Sequence, residues 1–114
     1  TMPSRSIDIH WKLSPWFDEA DQTDQFWKRA QPLQFRDHGL VTLNPEDQFL
    51  HICMHGARAW DSIAETTADK SSLTWIADCV LLSRAFPELN WDAVTANARK
   101  LGVRLQVLPA LQFL

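Results

Sequence analysis

From Asn44 onward the chain is punctuated by helix starts and stops, and these restrict its second half to short helices packed on one another. Asn44-Pro45-Glu46-Asp47 is the strongest such signal. Asn44 suits the N-cap, Pro45 suits the first helical position, and two acids follow at the positive end of the helix dipole. Phe49, Leu50, Ile52, Cys53, Ala57 and Trp60 give this helix one apolar side and carry it to about Trp60. Residues 61–70 are polar and read as a loop. Ser71 or Ser72 caps a second helix that reaches Phe86 and closes at Pro87, with Leu73, Ile76, Ala77, Val80, Leu81 and the stem of Arg84 on one broad face. Asn90 caps a third, with Trp91, Val94, Ala98 and Leu101 in register and Gly102 as the stop. Residues 103–114 form a fourth, kinked or restarted at Pro109.

Upstream the periodicity changes. Ile7, Ile9, Trp11 and Leu13 alternate with Asp8, His10 and Lys12. That is the period-two pattern of a strand with one apolar and one polar face, ended by Ser14-Pro15. Thr23 caps a short helix over residues 24–30, with Phe26, Trp27 and Ala30 inward and Pro32 as its stop. Arg36-Asp37-His38-Gly39 is a turn-like cluster that leads into a short extended segment, Leu40-Val41-Thr42-Leu43.

Composition excludes several function classes. With 114 residues and 46% hydrophobic content the chain suits one folded domain. Six Trp and six Phe against no Tyr supply packing area and few hydroxyls. The net charge of −3 and the dispersed basic residues argue against DNA as a partner. No apolar run approaches the ~18 residues of a membrane span. Cys53 and Cys79 lie in apolar helical patterns, as small core residues of a reducing, cytoplasmic compartment. A Thr ahead of Met2 and an apolar, uncapped end after Val103 predict a chain incomplete at its ends.

Three constellations can carry chemistry. The polar strand face sets Asp8, His10 and Lys12 in a row, about 6–7 Å apart. A strand carboxylate beside other carboxylates is a usual way to hold Mg²⁺; the alternative is a plain solvent-facing strand edge. Asp47, His51, His55 and Arg58 share one side of a helix. They suit phosphate groups, or His51 and His55 share a transition metal, although His-Ile-Cys-Met-His lacks the Glu of a zinc-protease motif. The alternative is a helix face with satisfied histidines. Asp78 stands in an otherwise apolar helix, where a carboxylate needs a partner. It either ties two helices together, through His51, His55 or Arg58, or acts as an acid or base that orients one of those histidines. No Gly-rich phosphate loop, Cys-x-x-Cys or Gly-x-Ser-x-Gly occurs.

The order of segments carries a resemblance. IDIHWKL, FWKRAQPL, LNPEDQFLHICMHGAR, LTWIADCVLL and LNWDAVTANARKLGVR follow one another over nearly the whole chain. In that order they resemble an uncharacterised bacterial nucleotidyltransferase family, whose members look like distant relatives of toxin-type and aminoglycoside nucleotidyltransferases. The resemblance implies an α+β, mostly α fold: one or two N-terminal strands from an incomplete nucleotidyltransferase sheet, then a bundle of about four helices. Residues 1–43 would be the strand-containing end and 44–114 the helical subdomain, in one unit. The resemblance also implies a Gly-Ser turn and an Asp-x-Asp pair as metal carboxylates, with a third acid on a later strand. Asp8 matches the third acid; this sequence contains neither Gly-Ser nor Asp-x-Asp.

The function so implied is Mg²⁺-dependent transfer of a nucleoside monophosphate from an NTP to an unknown acceptor, with this chain a fragment inactive alone. Asp8 would be the metal ligand. Asp78, His51 and His55 would be the catalytic residues, with Arg58, Lys12 and His10 contacting the nucleotide. The alternative is a non-catalytic helical module for substrate recognition or protein interaction, with self-association through exposed aromatics.

Overall fold

The computed structural model describes residues 4–7, 9, 20–63 and 73–114, with the backbone alone at 20, 21 and 57–63. Helices dominate it. The first, α1, spans Ala20–Arg29 and buries Phe26. Trp27, expected inward with it, is exposed, because the adjacent position on a helix points about 100° away.

Two strands follow, β1 (Gln31–Phe35) and β2 (His38–Thr42), paired antiparallel with Leu33 opposite Leu40 and Phe35 opposite His38. They are the sheet among the described residues. The connection is the two-residue turn Arg36-Asp37, with Arg36 at a φ of 52°. That is the left-handed region a hairpin turn demands and that a Cβ disfavours. The helix α1 stops before Pro32 as expected, and Pro32 itself is part of β1. Proline is tolerated on an edge strand, where its missing N–H breaks no ladder bond. The strand expected over residues 6–13 falls largely outside the described residues. Its two described apolar positions, Ile7 and Ile9, belong to no strand and are exposed.

The remaining helices are α2 (Pro45–Ile63), α3 (Thr74–Ala85), α4 (Trp91–Leu101) and α5 (Arg104–Leu111). Asn44 caps α2 by accepting the Asp47 backbone N–H at 2.8 Å. Asn90 caps α4 in the same way through the Ala93 N–H, and Gly102 ends α4 in the left-handed conformation at φ 70°. Pro109 lies inside α5, which it does not break.

The core forms where α2 meets α3, α4 and α5. Phe49, Leu50, Cys53 and Met54 of α2 pack with Trp75, Ile76 and Cys79 of α3, Val94 and Ala98 of α4, and Val107 and Ala110 of α5. Phe49 meets Trp91 edge to face, with ring centroids 5.2 Å apart. The face of α3 is rotated from the expected one: Leu73 and Leu81 are exposed and Trp75 and Cys79 are buried. Gly56 explains the rotation. A Cβ there would overlap the Trp75 ring, so its absence lets the indole lie against the α2 backbone. The start of α3 at Leu73 has no side-chain cap, and Ser71 and Ser72 lie outside the described residues.

Candidate functional site

The first turn of α2 gathers several polar contacts. Asp47 lies three and seven residues before Leu50 and Met54, so it shares their buried face. Its carboxylate is fully buried and is held by Arg29 at the end of α1: Arg29 Nε donates to Oδ2 at 2.8 Å and Nη2 to Oδ1 at 3.0 Å. This bidentate geometry is the strong form of the ion pair. The guanidinium also stands over the Phe26 ring, 5.3 Å from its centroid. Arg29 was not legible as a site residue, since eighteen positions separate it from Asp47. The available signal was indirect: an acid on the apolar side of a helix requires a cation.

The same turn gathers two more ties. Gln48 Nε2 donates to Leu43 O at 2.8 Å and to Thr42 Oγ1 at 3.3 Å, which holds the base of the hairpin to α2. Glu46 Oε1 accepts the Asn90 backbone N–H at 2.9 Å, which joins α2 to the start of α4.

Along α2 the expected stripe passes from core to solvent. Asp47 is buried, His51 is half-buried and His55 is exposed. The two rings stand 6.2 Å apart at 35°. Asp47 is already engaged by Arg29 and so leaves the set that could meet a phosphate. The side chain of Arg58 lies outside the described residues, as do Asp8, His10 and Lys12. Asp78 is exposed on α3 and has no hydrogen-bond or ionic partner among the described residues. It is thus not buried, as its apolar surroundings suggested, and the expected tie to Arg58 lies outside the described residues. Among the described residues no group of three or more His, Cys, Asp or Glu could hold a metal ion. No third ligand that a transition-metal site on His51 and His55 would require stands beside them among the described residues.

Cys53 and Cys79 are both free and fully buried, with their sulfurs 3.7 Å apart between α2 and α3. The hydrogen bond to Cys79, and then burial, push the Cys53 thiol far above its ordinary range. A thiol kept protonated is a poor nucleophile and a poor metal ligand, so the pair acts as core packing.

Clefts open on the helical surface. One of about 350 Å³ lies between α1 and α4. Another, of about 370 Å³, lies beside Arg84, Trp91 and Phe113. No helix among the described residues is long and apolar enough to cross a membrane.

Comparison with known proteins places this scaffold. The model of a family described as an uncharacterised nucleotidyltransferase matches residues 2–114. No curated protein and no solved structure matches the chain.

Proposed function

We propose, from the premise that this chain belongs to the uncharacterised nucleotidyltransferase family, that it supplies one acidic segment and the helical wall of a Mg²⁺-dependent site. That site transfers a nucleoside monophosphate from an NTP to an acceptor. The family match over residues 2–114 is the observation that carries this reading. Bound Mg²⁺ would neutralise phosphate charge there. Asp8 is the carboxylate this chain would offer it, and the sequence contains neither the Gly-Ser turn nor the Asp-x-Asp pair that would join it, so the chain alone would be inactive. His51 and His55 support the reading: their rings stand 6.2 Å apart on one side of α2, a spacing that lets two imidazoles address neighbouring oxygens of one phosphate chain. Arg58, Lys12 and His10 would add cationic contacts, and exposed Asp78 would orient a histidine.

The test is a titration of isotope-labelled protein with each NTP in the presence of Mg²⁺, followed by NMR. The expected result is a joint, saturable shift of Asp8, His51 and His55 that Mg²⁺ alone does not produce. Shifts confined to scattered surface cations, with those three residues still, would reject the nucleotide-site reading.

A second reading is favoured by a separate observation. Leu33, Phe35 and Leu40 lie on one face of the hairpin and are all about half exposed, as is Phe113 at the chain end. Exposed apolar groups of this kind suit a helical substrate-recognition or protein-interaction module, including one that self-associates. That module predicts association that depends on protein concentration and no joint response of the three residues to NTP.

A further inference from the structure

The cleft between α1 and α4 has a composition that packing does not explain. On α1 its lining is Gln22, Gln25, Phe26 and Arg29, spaced to fall on one helix face. On α4 it is Asn97, Lys100 and Leu101, again one face. Two cations and three carboxamides therefore look into one space, and no described lining residue is acidic. At about 350 Å³ the cleft falls within the size range of small-molecule sites.

Arg29 is the fixed element. Asp47 holds its Nε and Nη2, and the Phe26 ring lies under the guanidinium. Its remaining nitrogen, Nη1, has no partner among the described residues. A donor immobilised before binding loses little entropy when it meets a ligand. Asp47 neutralises the Arg29 charge at close range, so the excess positive charge of the cleft is that of Lys100, which pairs with no described acid. The carboxamides both donate and accept.

We propose that this cleft binds a small polar molecule carrying one oxyanion group, a phosphate or a carboxylate. Arg29 Nη1 and Lys100 take the oxyanion, and Gln22, Gln25 and Asn97 take the polar remainder. The inference is independent of nucleotidyl transfer: His51, His55 and Asp78 do not line the cleft.

The experiment is an NMR titration of the ¹⁵N-labelled chain with inorganic phosphate and, separately, with acetate at matched ionic strength. Saturable shifts of the Gln22, Gln25 and Asn97 side-chain amides and of the Arg29 Nε–H are expected. Lys100→Gln should weaken the response about tenfold, the size of one charge-assisted hydrogen bond. Lys28→Gln, on α1 but outside the lining, should leave it unchanged. Saturation by phosphate alone assigns a phosphate site, by acetate alone a carboxylate site, and by both a general oxyanion site. Linear shifts spread equally over Lys28, Arg84, Arg99 and Arg104, or an equal effect of Lys28→Gln, would overturn the proposal.

Discussion

The helices from Pro45 to Leu111 and the hairpin from Gln31 to Thr42 are built from comparable apolar residues and treat them in opposite ways. In the helical body Phe49, Leu50, Val94 and Ala110 are sealed against one another. In the hairpin no residue is buried, and Leu33, Phe35, Leu40 and Val41 remain open to solvent. An isolated two-stranded hairpin is marginal in water. This one persists because its ends are fastened, by the Gln48 carboxamide at one end and by the Arg29–Asp47 pair just before the other. Stability in the body comes from burial. In the hairpin it comes from attachment, and its apolar face stays exposed.

Three changes probe that contrast. Arg29→Met should have the largest effect, because it leaves the buried Asp47 carboxylate without its cation. A loss of about 3 kcal/mol in urea unfolding is expected, with α1 and the hairpin loosening together in hydrogen exchange. A loss under about 1 kcal/mol would mean that the hairpin end does not depend on this clamp. Gly56→Ala comes next. The added methyl has to displace the Trp75 ring, and overpacking of this kind costs about 2 kcal/mol. Its signature is a changed Trp environment in near-ultraviolet circular dichroism, with hairpin amides unaffected. The smallest effect on stability should come from Leu33→Ser with Phe35→Ser, within about 0.5 kcal/mol. If the hairpin is a contact surface, the same pair of changes should reduce concentration-dependent association in analytical ultracentrifugation. A large stability loss from this pair would instead show that the face is covered within the monomer.

What could be read in advance was whatever is decided locally. Asn44, Asn90 and Gly102 act on backbone groups within three or four residues, so their roles were visible and the structure has them in place. The rotation of α3 was hidden because it depends on Gly56, a residue in another helix. The first strand was hidden because Pro32 marks where the helix ends and says nothing of the edge strand that starts there. Among the candidate site residues, His51 and His55 were correctly placed side by side on α2. Whether Asp78 is buried could not be read, because helix periodicity fixes relative angles and leaves open which angle faces the core; it is exposed. Arg29 and the α1–α4 cleft were missed for a plainer reason: no local pattern joins positions so far apart.

The Arg29–Asp47 clamp has one more consequence. It pins the two ends of the intervening segment whatever lies between them. Once ends are held, doubling the length of a flexible connection costs only about 0.6 kcal/mol. Lengthening that stretch at its Arg36-Asp37 turn should thus cost the folded body little.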